Sequence, residues 1–294
     1  MKSEETWHNL TLELAWAAGL FDGEGCTSAR PYSRRPNSIR IHASVSQSSR
    51  SADVVPSVLV RFQHAVGGMG SIGTPYFDER SGTFAHQWRV GSFEETQAVV
   101  ALLWRNLGIV KRTQAAEALL RFRAQYLKIR PRYRTPTRPR RFGLSWPGPT
   151  ASAKEQALAW AAGLFDGEGS TELYTRRTAN RTWFALRSRV SQCDAHGVPE
   201  VLERFRAVVG YGRIDGPTSG EGYENAYKWD AGADDTLQVL RMIWPWLGIV
   251  KRVQAIDAIK SVDALPVFRR HPWRDEALRF AQLHTETSGS SFTP

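Results

Sequence analysis

The 294-residue sequence contains only two cysteines, Cys26 and Cys193. This scarcity argues against a domain built on a cysteine zinc cluster and against a disulfide-rich secreted domain. Two thiols cannot form a zinc cluster by themselves, and they do not provide the set of disulfides that stabilises small secreted domains. The chain is instead long enough for two domains of about 100–150 residues that each bury a core of their own.

Long apolar stretches are absent as well. No segment approaches the roughly 20 apolar residues that are needed to cross a membrane. The first residues, Met1–Thr6, lack the apolar character of a targeting signal. We therefore expect an intracellular protein, in the cytoplasm, the nucleoid or an organelle of its host, that is not secreted and has no membrane partner.

Acidic residues are in the minority. The chain has 39 Lys and Arg against 29 Asp and Glu, so its formal net charge is +10. An excess of this size is typical of proteins that bind a polyanion, and nucleic acid is the commonest such partner. Ribosomal proteins and proteins that bind membrane surfaces show the same balance, so the charge alone does not identify the partner.

One segment of the sequence occurs twice. The ten residues Trp16–Gly25, WAAGLFDGEG, return unchanged as Trp160–Gly169. Small and apolar residues recur in the repeat at the spacing of a helix. Ala15 and Gly19, four residues apart, leave one face of the first helix nearly flat. Because another helix can approach such a face closely, we expect the two copies to pack against each other.

Each copy ends with two carboxylates, those of Asp22 and Glu24 and those of Asp166 and Glu168. An acid at the C-terminus of a helix opposes the helix dipole by about 0.3–1 kcal/mol. Two carboxylates about 5 Å apart repel by roughly 3 kcal/mol at an effective dielectric constant of about 20. Divalent cations with oxygen ligands, Mg²⁺ above all, would relieve this repulsion, and the flanking glycines permit a tight, left-handed turn. The alternative is a pair of amphipathic helices with glycine caps and solvated acids.

The segments 17–25 and 161–169, AAGLFDGEG, resemble the signature motif of the LAGLIDADG homing endonucleases. A chain with two copies is similar to the monomeric, pseudo-symmetric members of that family, the meganucleases. The first position of the motif is Ala instead of Leu, and the eighth, the metal-binding acid of the family, is Glu instead of Asp in both copies. The resemblance implies that Glu24 and Glu168 are catalytic metal ligands and that the backbone carbonyls of Gly23 and Gly167 also reach the ions. It implies a structural role for Asp22 and Asp166 at the helix ends.

Beyond the repeats the two halves follow the same order. Each has an extended polar segment, an alternating strand that ends in Val-Ser-Gln (45–47 and 190–192), a helix, a hairpin and two further helices. This order predicts an α+β fold with one four-stranded sheet in each half. It matches the αββαββα plan of the family, and the resemblance implies two pseudo-symmetric αββαββα domains that form an eight-stranded antiparallel DNA-binding saddle. The predicted limits are 1–127 for the N-terminal domain, 128–153 for a basic, proline-rich linker, 154–284 for the C-terminal domain and 285–294 for a disordered tail.

Two further pairs of residues are assigned by the same resemblance. Gln47 and Gln192 fall where the family often keeps a polar residue that orients the attacking water or a second layer of ligands. Lys111 and Lys251 align with its basic residue near the cleaved phosphate. A glutamine at the end of a strand is also commonly a hydrogen-bonded surface residue, and that alternative stays open for both glutamines.

The outward faces of the strands supply candidates for contacts in the major groove. A two-stranded ribbon fits that groove, where Arg pairs with guanine and Glu accepts from cytosine. The candidates are Ser28, Arg30, Tyr32, Arg34, Arg40, His42, Ser44, Gln87 and Arg89 in the first half, and Glu172, Tyr174, Arg176, Arg187, Arg189 and Lys228 in the second. Because the halves differ most here, we expect the target to be an imperfect palindrome.

Taken together, the resemblance implies a monomeric, intron-encoded or freestanding endonuclease that makes a staggered double-strand cut with 3′ overhangs in a long asymmetric DNA target. It would require Mg²⁺, with Mn²⁺ as a substitute and Ca²⁺ supporting binding without cleavage, and it would need no obligate protein partner. The alternatives are a non-cleaving DNA- or RNA-binding protein on the same scaffold, such as a maturase or a regulator, and a nickase with one working site. The presence of both Glu24 and Glu168 disfavours a pure binder, which would gain from neutral residues there.

Overall fold

The computed structural model describes residues 4–32, 35–129, 150–218, 225–268 and 271–288. The chain folds into two compact units, Met1–Gly167 and Glu168–Pro294. Each unit combines helices with one antiparallel sheet, so the predicted α+β class is confirmed. Within the described residues, no helix is long and apolar enough to span a membrane.

The first unit is built on a sheet with strand order β1-β2-β5-β3, in which β4 also pairs with β5. Its elements are α1 (Glu4–Glu24), β1 (Gly25–Tyr32), β2 (Arg35–Ser49), α2 (Ser57–Ala65), β3 (Ser71–Ile72), β4 (Tyr76–Asp78), β5 (Thr83–Val90), α3 (Phe93–Leu103), α4 (Ile109–Ile129) and α5 (Ala153–Glu168), whose last residue begins the second unit. The first strand of the predicted hairpin is divided into β3 and β4. Pro75 lies between these two strands and has no N–H to donate to the sheet.

The second unit has a four-stranded sheet with the order β6-β7-β9-β8. Its elements are β6 (Gly169–Arg177), β7 (Thr182–Cys193), α6 (Glu200–Val209), β8 (Arg213–Thr218), β9 (Ala226–Ala231), α7 (Ala233–Ile243), α8 (Ile249–Asp263) and α9 (Pro272–Ser288). Helix α9 has no counterpart in the αββαββα plan. It buries Trp273, Ala277, Phe280 and Ala281, which share one face at helical spacing.

Two predicted boundaries differ from the structure. Residues 285–288 of the tail predicted to be disordered belong to α9, which its buried face holds in place, and residues 289–294 lie outside the described part of the chain. The second domain was predicted to start at residue 154, but helix α5, up to Gly167, belongs to the first compact unit. The reason is that α5 packs on α1. Most of the predicted linker, residues 130–149, also lies outside the described residues.

Helices α1 and α5 pack with their backbones in contact. A Cβ atom on Gly19 would lie 1.9 Å from the carbonyl oxygen of Trp160, and one on Gly163 would lie 1.8 Å from the carbonyl oxygen of Trp16. No side chain fits at either position, since real Cβ atoms do not come within 3.0 Å of such atoms. The packing of the two repeats that their small residues predicted is therefore confirmed.

A buried tryptophan supports each sheet from the helix side. Trp88 of β5 packs edge-on against Phe62 of α2, with ring centroids 4.7 Å apart, and Trp229 of β9 packs against Phe205 of α6 in the same way at 4.8 Å. The indole N–H groups of both tryptophans donate to a carbonyl in the preceding glycine-rich turn, at 2.9 and 2.8 Å. The opposite faces of the two sheets carry the polar side chains.

Candidate catalytic sites and nucleic-acid interface

The two repeats end in the same arrangement of side chains. Glu24 and Glu168, the last residues of α1 and α5, are half-buried. The Nε2 atom of Gln47 donates to Oε1 of Glu24 at 2.7 Å, and Nε2 of Gln192 donates to Oε1 of Glu168 at the same distance. In both units the amide therefore fixes the orientation of the carboxylate.

A lysine contacts the backbone next to each of these pairs. Lys111, near the start of α4, donates from Nζ to the carbonyl oxygen of Gly25 at 2.5 Å, and Lys251, near the start of α8, donates to that of Gly169 at 2.5 Å. These carbonyls belong to the residues that directly follow the two glutamates. The six residues predicted to be catalytic thus form one Glu–Gln–Lys group in each unit.

The turns around the glutamates differ from expectation. The flanking glycines would permit a left-handed turn, but none of them is among the described glycines with positive φ. Helix α1 instead runs straight into β1. Gly25 is required for another reason, because a Cβ atom there would lie 2.3 Å from the ring of Phe21. A Cβ atom on Gly167 would lie 3.0 Å from Cγ of Glu24, so this glycine packs against that side chain.

The other two acids of the repeats connect elements. Asp22 is only 5% exposed and accepts hydrogen bonds from the indole of Trp160 at 2.7 Å and from the backbone N–H of Gly108 at 2.8 and 2.9 Å. Asp166, 6% exposed, accepts from the indole of Trp16 at 2.7 Å. Each aspartate is thereby linked to the tryptophan of the other repeat.

Sequence reasoning missed the tryptophans and one arginine. Trp16 and Trp160 each stand six residues before the aspartate of their own repeat, and this shared spacing was the available signal. Arg61 of α2 forms a two-point contact with Glu13, at 2.9 and 2.7 Å, and lies 3.9 Å from the centre of the Trp16 ring. Nothing in the local sequence of α2 indicates this partner.

The residues at the helix ends fit a hard divalent cation. The last four carbonyls of a helix have no partner within it, so carboxylate and carbonyl oxygens occur together at the end of α1. Among the described residues, no group of three or more His, Cys, Asp or Glu side chains could hold a metal ion. Mg²⁺ suits such a site because it is usually bound by one or two carboxylates together with waters and substrate phosphates.

The outward face of the first sheet carries most of the predicted binding residues of the first half. The register pairs Ser28 with His42 and Arg30 with Arg40 between β1 and β2, and it pairs Ser44 with Arg89 between β2 and β5. Gln87 lies opposite Ser46 and donates to its hydroxyl at 3.2 Å. The remaining candidates, Arg34 and the side chain of Tyr32, lie outside the described residues.

His42 lies among cations on this face. Its burial and the positive charges of Arg89 and Arg30 lower the pKa of the imidazole from its ordinary value of 6.5. The hydroxyl of Ser28 lies 3.5 Å from Nε2 of His42. The ring is therefore neutral at neutral pH and serves there as a hydrogen-bonding group without a charge.

The second sheet has the same arrangement of positions but different charges. The register pairs Glu172 with Arg187, Arg189 with Asp230, and Lys228 with Ser191. Tyr174 and Arg176 lie further along β6 on the same face. Sequence reasoning missed Asp230, an acid of this face that is bonded to both Arg187 and Arg189, the central arginines of the second sheet.

Asp230 is 6% exposed and lies against two arginines of β7. Its Oδ2 is 2.5 Å from Nη2 of Arg187, and its Oδ1 accepts from Nε of Arg189 at 3.1 Å. Burial by itself would raise the pKa of Asp230, but the hydrogen bonds and charges of the two arginines outweigh burial and lower it. The carboxylate is therefore ionised at neutral pH.

The sequence itself has no match among protein-family models or curated proteins. Solved structures with a similar fold include I-AabMI bound to uncleaved DNA, with a TM-score of 0.59, 14% identity and coverage of 93% of this chain and 98% of that one. They also include the LAGLIDADG homing endonuclease I-GzeII in complex with its DNA target, with a TM-score of 0.56, 15% identity and coverage of 92% and 97%.

The I-SmaMI LAGLIDADG homing endonuclease bound to cleaved DNA is similar to the same degree, with a TM-score of 0.56, 16% identity and coverage of 91% of this chain and 95% of that one. At such low identity these likenesses establish the fold. The chain therefore has the fold of the LAGLIDADG homing endonucleases, the fold that its repeated motif implied.

Proposed function

We propose that this protein is a site-specific DNA endonuclease that cuts both strands of a long asymmetric target and uses a divalent cation, with Mg²⁺ as the expected ion. The observation that carries the proposal is the Glu–Gln–Lys group, which occurs with the same distances in both units. A fold of this kind binds DNA in I-GzeII, and in I-SmaMI it has been observed with cleaved DNA and, in the presence of calcium ions, with uncleaved DNA.

In this proposal Glu24 and Glu168 hold the cations, together with the backbone carbonyls of Gly23 and Gly167. When bound, such a cation supplies Lewis-acid stabilisation of the charge on a scissile phosphate. Gln47 and Gln192 keep each carboxylate in one orientation through their 2.7 Å hydrogen bonds. Both glutamates therefore offer their ligand oxygens in a geometry that does not have to be assembled when the substrate binds.

Lys111 and Lys251 bring a positive charge to the residue that follows each glutamate. An ammonium group in this position would attract a phosphate oxygen and stabilise the additional negative charge that develops on the phosphate during hydrolysis. Since each lysine is bonded to a strand carbonyl, its Nζ atom is positioned in advance. These two residues are the proposed electrostatic catalysts.

The two sheet faces are the proposed surfaces for the DNA duplex. The first carries Arg30, Arg40 and Arg89, whereas the second carries Asp230 at the place where the first has Arg89. Different side chains at equivalent positions would read different bases, so the target would be asymmetric. The finer expectations remain part of the proposal: a monomer, a staggered cut with 3′ overhangs, an origin in an intron, Mn²⁺ as a substitute and Ca²⁺ for binding alone.

The test first identifies the target by selection from a randomised DNA library and then uses a supercoiled plasmid that carries it. With Mg²⁺, a linear product supports the endonuclease, an open circle indicates the nickase, and a gel shift without cutting indicates the non-cleaving binder. With Ca²⁺, we expect a gel shift only.

Two substitutions test the assignment of the glutamates. Glu24→Gln and Glu168→Gln should each abolish double-strand cutting and retain affinity, because binding depends on the sheet faces. Glu117→Gln, an exposed residue of α4, makes the same change of charge and should cut normally. If both Glu24→Gln and Glu168→Gln cut as the unmodified protein does, the proposed cation ligands are wrong.

A further inference from the structure

The central arginines of the second sheet are held by groups of the protein itself. Besides its two bonds to Asp230, the pair contacts Tyr174, whose ring centre lies 4.8 Å from the guanidinium carbon of Arg187 and 4.9 Å from that of Arg189. Nη1 of Arg189 also lies 2.8 Å from Oε1 of Glu172. The side chains of Arg187 and Arg189 are only 18% and 23% exposed, so both are ordered before any ligand binds.

The fold does not require this arrangement. The first sheet has the same antiparallel pairing, with Trp88 at the position of Trp229. There, His42 stands at the position of Arg187, and Ser44 stands at that of Arg189. The residue paired with Ser44 is Arg89. An arginine thus occupies the position of Asp230. The acid is a specific property of the second sheet.

A carboxylate on this face also weakens the attraction of a basic surface for phosphates. Removing Asp230 would increase the positive charge available to a polyanion, so the residue is unfavourable for affinity alone. Asp230 therefore needs an explanation in terms of geometry. The two hydrogen bonds and the contact with Tyr174 supply one, since they restrict the arginine rotamers that would otherwise be ordered on binding.

Arg187 and Arg189 are not equivalent in this cluster. Arg189 is engaged by Asp230 and Glu172 together. Among the described residues, Arg187 forms one side-chain hydrogen bond, in which its Nη2 donates to Asp230. A guanidinium has five N–H donors, so Arg187 keeps donors that can bind O6 and N7 of a guanine in the major groove.

On the basis of the proposed function, we propose that Asp230 is a positioning residue that presents Arg187 to one G·C base pair of the target and sets the sequence preference there. Asp230 increases discrimination at this base pair and decreases the affinity for duplex DNA in general. Arg187 makes the contact, and Asp230 acts through it.

The test compares the unmodified protein with Asp230→Asn on the selected target and on a panel in which each base pair of the half-site is changed in turn. We expect the preference at one G·C pair to fall by about 10- to 100-fold, the range for loss of a bidentate arginine contact. Preferences at the other pairs should stay within about threefold. The affinity for unrelated duplex DNA should rise, because a negative charge is removed.

Three variants serve as controls. Asp215→Asn removes a charge from the same face, where Asp215 is paired with Arg213, and should raise general affinity without a loss of preference. Asp230→Glu retains the carboxylate and should restore part of the preference. Arg187→Ala should lose the preference at the same base pair, and adding Asp230→Asn to it should cause no further loss.

The outcomes separate this inference from the proposed function. If the unmodified protein binds no duplex DNA, the proposed function fails and the inference fails with it. If the unmodified protein discriminates and Asp230→Asn discriminates equally well, or loses preference at all positions alike, only the inference is overturned. Thermal melting shows whether Asp230→Asn is folded. If it is not folded, the base preferences of Asp230→Glu and Arg187→Ala are compared instead. If these two variants lose preference at different base pairs, the inference is overturned.

Discussion

At the scale of single residues, Asp22 shows how an acid of the repeat can be structural while its neighbour Glu24 is the proposed cation ligand. Its carboxylate accepts from the backbone of Gly108 and from the indole of Trp160. Asp22→Asn removes the charge and places an amide among these donors, so we expect a loss of about 2–3 kcal/mol in the free energy of unfolding. Urea denaturation measures it, with the exposed Asp53→Asn as the control. Equal midpoints for the two variants would contradict the structural role.

His42 gives a prediction about pH. Its pKa is lowered by burial and by Arg89 and Arg30, so between that lowered pKa and the ordinary value of about 6.5 the unfolded chain binds a proton that the folded chain does not. Stability therefore falls as pH decreases through this interval. We expect the unmodified protein to lose stability relative to His42→Gln between pH 7.5 and pH 5.5 in paired urea titrations. A constant difference would exclude a lowered pKa for His42.

The sequence marks single residues where a motif identifies them. Glu24, Gln47 and Lys111 were predicted because each recurs at the same place in the second half and falls at a position that the family resemblance assigns. Trp16, Arg61 and Asp230 fall at no such position, and their partners are distant in the chain: the bond between Trp16 and Asp166 spans 150 residues, and that between Arg187 and Asp230 spans 43. Such partners become visible only when the chain is folded.

At the scale of elements, the contact of α1 with α5 gives the sharpest prediction. Gly19→Ala would place a methyl group 1.9 Å from a backbone oxygen that cannot rotate away. We expect a loss of about 3 kcal/mol or more, the upper part of the range for overpacking, as measured by thermal or urea unfolding. Gly91→Ala is the matched control, since a Cβ atom there meets nothing within 4 Å. If both variants unfold alike, the helices are not in contact as described.

Most elements follow from periodicity, and the exceptions have physical reasons. The strands after the repeats alternate clearly, and Ser92, a residue type favoured at helix starts, caps α3 by accepting from the N–H of Glu95 at 3.1 Å. The division of β3 from β4 depends on where Pro75 meets the sheet, which the pairing register decides. Helix α9 was missed because its apolar face, from Trp273 to Ala281, has no repeated counterpart in the first half.

At the scale of the whole molecule, the net charge of +10 predicts a strong response to salt. If the protein binds a duplex through many phosphates, raising the salt concentration from about 50 to 200 mM should weaken binding by about 10³–10⁵-fold, as counterion release requires for 6–10 contacts. Fluorescence anisotropy with labelled target DNA at several salt concentrations measures the slope. A flat response would argue against a surface that follows the DNA backbone.

The close contact of the two helices at Gly19 and Gly163 restricts which substitutions the protein can accept at these positions. The atoms that exclude a side chain at each glycine are main-chain carbonyl oxygens of Trp160 and Trp16, which every amino acid possesses. No second mutation at the opposing position can therefore compensate for a larger residue. Such a constraint accounts for the glycine that both decapeptides carry at their fourth position, and it does not act on the strands that follow, where the two halves differ.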